Sequence, residues 1–196
     1  MTNKLIIAIS SSPSPASRTA KLVDHVLQGL AEDSLLTRHI QLRDMDPEAL
    51  MLAKSGHVSV ARTVTAIEQA DGLVIATPIF KASYSGLLKV FLDLLPQFGF
   101  AGKAILPIAT GGSLAHLLAL DYGLRPVLQS MGARHIVQSL FVPESEMHLV
   151  DDKLQIGELT EAMLQEASYH FKSAILGATD DRLLGHPRPG RLEPPA

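Results

Sequence analysis

At 196 residues, with 46% hydrophobic and 19% charged side chains and no cysteine, the chain has the size of one domain. Its core needs no disulfide or metal staple, and thiol nucleophiles, Fe–S clusters and thiolate zinc sites are excluded. Lys+Arg 17 against Asp+Glu 20 gives a net charge of −3 with the signs interspersed, unlike the basic stripe of a nucleic-acid-binding module and too mild for a dedicated acidic electron carrier.

Mean hydropathy is +0.20, high for a chain in which no apolar run approaches the roughly 18 residues of a membrane span. The excess belongs in a buried sheet or a subunit interface. The 5–9 run is short for the apolar region of a signal peptide, and the absence of cysteine suits a reducing, cytoplasmic location.

Residues 4–10 (KLIIAIS), 72–78 (GLVIATP), 104–110 (AILPIAT) and 134–142 (RHIVQSLFV) are almost continuously apolar, which predicts strands covered on both faces. Residues 37–42 (TRHIQL) alternate and predict an edge strand. Between them, 17–31, 58–70, 85–95, 113–131 and 158–176 carry apolar residues at helical spacing, with a shorter helix from Pro47. Strand–helix alternation throughout predicts an α/β fold, a flavodoxin-like three-layer sandwich with a five-stranded parallel sheet over residues 1–178. Residues 179–196 hold four of the twelve prolines and little apolar content, and read as a flexible tail.

In such a sheet, ligands bind beyond the carboxyl ends of the strands. The first of these loops, 10–19, has no glycine, so it is neither a Walker loop nor a dinucleotide turn. It offers hydroxyls, Arg18 and a helix N-terminus, which suits a phosphate monoester or, equally, an ordinary turn capped by Ser17. The second loop, 78–86, carries Phe80 and Tyr84, either as ligand contacts or as packing residues, and Gly86, which permits close approach. The third, Thr110-Gly111-Gly112-Ser113, can point backbone amides at a ligand or serve as a strand-to-helix turn.

Three motifs stand in these loops: S-x-x-P-x-S-R from Ser12, P-x-F-K-x-S-Y-S-G-x-L-K from Pro78, and A-T-G-G-S-x-x-H-x-L-x-x-D-Y-x-L-R-P from Ala109. Together they resemble the NAD(P)H-dependent FMN reductases, and most the reductase component of two-component alkanesulfonate monooxygenases. The resemblance spans about residues 4–171. It implies a homotetramer that uses NADPH or NADH to reduce FMN and supplies it to an FMNH2-dependent monooxygenase.

By matching position, Ser12, Ser17, Arg18 and Thr19 would hold the FMN phosphate. Pro78, Ile79, Phe80 and Lys81 would line the isoalloxazine and ribityl region, and Thr110, Gly111, Gly112 and Ser113 the pyrimidine edge. Two departures are Ser14, where relatives often carry arginine, and Phe80, where tyrosine is common. Tyr122 matches a residue that relatives accommodate as a π-bulge, and implies a subunit interface.

No nucleophile elbow and no metal-ligand spacing is present, and His116 reads as a structural or interface residue. Hydride transfer to a flavin asks the protein mainly for positioning, with Lys81 and the Gly111–Gly112 amides as candidates to favour the reduced anion. Two alternatives remain: a quinone or azo reductase with tightly bound FMN, and a non-catalytic electron-transfer flavodoxin.

Overall fold

Strand β1 (Leu5–Ser10) is followed by helix α1 (Arg18–Glu32), β2 (Leu36–Gln41), α2 (Pro47–Met51) and α3 (Val58–Gln69). The centre of the chain is β3 (Gly72–Phe80), β4 (Ser83–Tyr84), α4 (Gly86–Leu92) and β5 (Ala104–Gly111). It closes with α5 (Arg125–Ser130), β6 (His135–Ile136), β7 (Leu140–Pro143), the hairpin β8 (Met147–Val150) and β9 (Lys153–Ile156), and α6 (Glu158–Gly177). This computed structural model describes residues 4–32, 35–133, 135–151 and 153–177; the expected tail at 179–196 lies outside them.

The sheet runs β2-β1-β3-β5-β6, all parallel, which is the strand order of the flavodoxin-like fold. It has seven strands rather than the five expected, for two reasons. The short β4 folds back antiparallel onto β3, and the strand expected at 134–142 is broken in two, with β6 and β7 both pairing β5. Between Ile105↔Ile136 and Ile108↔Leu140 the register slips by one residue.

Arg125 fills that break. Its guanidinium donates to Ile136 O at 3.3 Å, Val137 O at 3.1 Å and Ser139 Oγ at 2.9 Å. Asp121 Oδ1 receives both Arg125 Nε at 3.1 Å and the Ser139 hydroxyl at 2.9 Å. A pair whose i, i+4 spacing reads as a surface contact therefore pays for carbonyls that the ladder leaves unmet.

Alternate residues of the central strands feed two cores. Ile7, Ile9, Leu73, Ile75 and Ile105 pack with Ile67, Leu88, Phe91 and Leu128 on one face. Ile6, Ala8, Val74, Leu106 and Ile108 pack with Leu22, Val26, Leu30, Phe171 and Ile175 on the other. Burial on both sides is why the strands read as continuous apolar runs. At Gly72 a Cβ would lie 2.5 Å from Ile175 Cδ1 and 2.8 Å from Phe171 Cζ, so glycine is what lets α6 seat on the sheet. Lys103, 2% exposed, donates its Nζ to Glu68 O at 3.1 Å and Ala70 O at 3.0 Å, a cation set on the C-terminal carbonyls of α3.

The helix expected over 113–131 is three pieces: a 3₁₀ turn Leu114–His116, a π-helix Leu120–Leu124 and then α5. The π-helix passes directly into α5, whose first turn accommodates Pro126, so the break in the expected helix lies before it, at residues 117–118. Tyr122 lies inside the π-helix.

Candidate flavin site at the strand ends

The parallel register of β1, β3 and β5 brings their carboxyl ends side by side: Ser10 pairs with Ala76, and Pro78 with Thr110. Ser11 and Thr77, which lie outside the motifs, and Ser85, a motif position without an assigned role, lock the emerging loops together. Ser11 N donates to Ala76 O at 3.0 Å, and Ser85 Oγ lies 2.9 Å from both the carbonyl and the hydroxyl of Ser11. Ser85 N in turn donates to Thr77 Oγ1 at 2.9 Å. Ser85 also caps α4, accepting from Leu88 N, and its place in the second motif at the start of a helical stretch is the sequence signal for it.

Within the first loop the hydroxyls turn inward. Ser12 Oγ accepts from Ser14 N at 3.3 Å, and Ser17 Oγ accepts from Ala20 N at 3.0 Å as the cap of α1. Thr19 Oγ1 stands 2.7 Å from Thr110 Oγ1, a buried pair joining the start of α1 to the end of β5. Arg18 reaches outward, with Nη1 3.4 Å from Glu144 Oε2 in the turn after β7. Lys21 N bonds the carbonyl of Ser17 and Ala20 N is taken by Ser17 Oγ, which leaves Arg18 N and Thr19 N as the opening amides of α1 outside the ladder. Free amides at a positive helix end beside an arginine are a fitting donor set for a phosphate monoester.

The second loop is a tight hairpin. Ile79 pairs with Tyr84 and Phe80 with Ser83, leaving Lys81 and Ala82 as the two turn residues, at φ +50° and +61°. Both φ values are positive, as in a type I′ turn, where Asn-Gly is the usual choice. Pro78 and Ile79 are buried and Lys81 is exposed. Phe80 is 51% exposed, so it does not plug the core. Tyr84 packs beside Gly123 of the π-helix, where a Cβ would meet its ring at 3.7 Å. Partial burial raises the Tyr84 pKa above its ordinary value, with Lys89 opposing the shift.

On the third loop Gly111 is buried at the end of β5, with Phe141 ring atoms 3.1 Å from the position of a Cβ. Gly112 is exposed and faces open space within 4 Å, which leaves its backbone accessible to a flat ligand. Ser113 accepts from Ala115 N at 3.2 Å and caps the 3₁₀ turn. Beyond it Leu114, Leu117, Leu118 and Tyr122 are 67%, 51%, 56% and 78% exposed. Ala82, His116, Leu118 and Tyr122 border a cavity of about 350 Å³ there. A second cavity, about 480 Å³, lies between α1 and α6 and is lined by helix faces rather than strand ends. Among the described residues no group of His, Asp and Glu is arranged to hold a metal ion, and no helix is long and apolar enough to cross a membrane.

The sequence model of the NADPH-dependent FMN reductase family matches residues 5–146. An FMN reductase (NADPH) of Pseudomonas putida KT2440 is 42% identical over 173 residues, 87% of this chain and 88% of the relative. An enzyme of the same description from Escherichia coli K12 is 39% identical over 142 residues, 72% of this chain and 74% of the relative. Among solved structures, the apo form of the NADH:FMN oxidoreductase EMOB is similar at a TM-score of 0.83 and 48% identity, covering 95% of this chain and 98% of that one.

Proposed function

Because the chain belongs to the NADPH-dependent FMN reductase family, we propose that it hands reduced FMN to a separate monooxygenase of the alkanesulfonate type, as a cytoplasmic homotetramer. The activity itself, NAD(P)H-dependent reduction of FMN, follows from that membership. FMN, when bound, supplies the hydride acceptor, and the chain's part is to orient two rings and keep water out.

In this reading Arg18 and the opening amides of α1 take the phosphate, while the inward hydroxyls of Ser12, Ser17 and Thr19 hold the loop that presents them. Pro78, Ile79, Phe80 and Lys81 border the ribityl chain and the ring. The Thr110–Ser113 segment offers its backbone, at Gly111 and Gly112, to the pyrimidine edge. Tyr122 and the exposed leucines before it form a subunit contact, which would bury apolar surface that now faces water.

One observation carries the hand-over: Phe80 is the single exposed aromatic ring on the three loops. An aromatic contact is worth about 1 kcal/mol beyond its buried area, so little stacking holds a flavin in place. The test is steady-state NADH and NADPH oxidation with FMN, FAD and riboflavin in turn, followed by coupling to an alkanesulfonate monooxygenase. Colourless protein that turns over only with added FMN and supports sulfonate oxidation is the expected result. Protein that purifies yellow, with near-stoichiometric FMN it does not release, would overturn the hand-over and leave the prosthetic-flavin reductase standing.

A further inference from the structure

Loop 11–17 is gripped from the far side by β2, which the motifs leave without a role. At its start, His39 of β2 bridges Ser10 Oγ at 2.8 Å and Asp24 Oδ1 of α1 at 2.7 Å. At its middle, Arg43 reaches in from the 3₁₀ turn Leu42–Asp44 that ends β2. One terminal nitrogen, Nη1, donates to two successive carbonyls, Ser14 O and Pro15 O, the latter at 3.0 Å. The base of this arm is fixed: Leu42 is 0% and Met45 6% exposed, and Met45 N closes the turn onto Leu42 O. The Arg43 side chain is 23% exposed, and Asp44 Oδ1 lies 3.7 Å from its Nε.

We propose that Arg43 is the positioning residue of the phosphate loop, setting the enzyme's preference for FMN over the unphosphorylated flavin. The inference rests on the reading that residues 11–19 receive the flavin phosphate. In a planar trans peptide the C=O and N–H point in opposite directions. Arg43 holds the Pro15 carbonyl toward itself, so the Ala16 N–H is aimed to the opposite side of the loop, next to the opening amides of α1. The Ser14 carbonyl is drawn the same way, which keeps an electron-rich oxygen from facing an anion. Pro13 and Pro15 limit the loop's other conformations, and Arg43 selects among those that remain. The group does not touch the flavin; it acts through the backbone.

The test compares FMN with riboflavin in the full-length protein carrying Arg43→Gln, with Arg43→Lys as a second variant that keeps the charge without the planar fork. Arg43→Gln is expected to raise KM for FMN by about tenfold, the loss of a charge-assisted pair of hydrogen bonds. KM and kcat with riboflavin, and kcat with FMN, stay within about twofold. Arg43→Lys falls between. Riboflavin turnover reports whether each variant is folded, so a general structural defect moves both substrates together, and that result overturns the proposal. So does an unchanged KM for FMN in a variant derived from a wild type that prefers FMN. A wild type with no preference between the two flavins would instead remove the phosphate-loop reading itself, and Arg43's role with it.

Discussion

Replacing Thr19 by valine keeps the side-chain shape and removes one hydroxyl from a pair whose oxygens stand 2.7 Å apart. Thr19 and Thr110 are 3% and 1% exposed, so the hydroxyl left behind has no water to turn to. An unmet buried polar group costs about 1–3 kcal/mol, whereas removing both partners at constant shape is nearly neutral. Thr19→Val and Thr110→Val are therefore each expected to lose about 1–3 kcal/mol, and the double variant no more than the worse single one. The coupling is then at least the smaller single loss, about 1–3 kcal/mol, read from urea unfolding of the four proteins without added flavin. In a chain of this length each kcal/mol moves Tm by about 2–4 °C, so thermal melts give an independent check. The same variants report on function. The pair ties the start of α1 to the end of β5, so KM for FMN rises in the single variants and recovers in the double one. Single effects that add within about 0.5 kcal/mol would refute the linkage. A double variant still impaired with FMN but normal with riboflavin would show that a threonine hydroxyl touches the phosphate directly.

Three further outcomes follow from contacts elsewhere. Gly72→Ala puts a methyl 2.5 Å from Ile175 Cδ1 and should cost about 1–3 kcal/mol by overpacking; an unchanged thermal midpoint would mean that α6 is not seated there. Glu144→Gln frees Arg18 from a competing carboxylate and is expected to tighten FMN about 2- to 5-fold in a fluorescence titration, the scale of a half-exposed ion pair, whereas weaker binding would contradict Arg18's role. Tyr84 has a raised pKa in the folded protein, so the fold holds its proton more tightly than the unfolded chain does. That contribution is full below about pH 10 and is lost as pH rises through the folded value, so Tyr84→Phe should flatten the alkaline fall in stability measured by urea unfolding.

What could be read from the sequence was local. The alternation of strand and helix, the both-faces burial of 72–78 and 104–110, and Ser17 as a cap all follow from neighbours a few residues apart, and the fold bears them out. The fifth strand could not be read correctly, because its break is satisfied by Arg125 from another segment, and a guanidinium's reach leaves no periodic trace. The 113–131 stretch misled for the opposite reason. Its apolar pattern is helical throughout, yet the backbone makes a 3₁₀ turn at Leu114–His116 and a π-helix at Leu120–Leu124 before α5, a change of hydrogen-bond register that side-chain spacing does not record.

The site divides along the same line. Loop composition announced hydroxyls, an arginine and a glycine pair, but composition says nothing about where a hydroxyl turns. Ser12, Ser17 and Thr19 turn inward, and only Arg18 reaches out. The side chains that govern the loop, His39, Arg43 and Glu144, come from β2, from the 3₁₀ turn after it and from the turn after β7, up to 126 positions away in the chain. Local preference even argues against the Lys81–Ala82 turn, since each L-residue in the left-handed region costs about 1–2 kcal/mol. The pair persists there because Ile79↔Tyr84 pairing and the seat of Tyr84 beside Gly123 fix the hairpin from both ends. Among the described residues Ala53 and Asp151 also adopt positive φ, but only the Lys81–Ala82 pair stands on a strand-end loop, and there the fold holds the hairpin in shape before any ligand arrives.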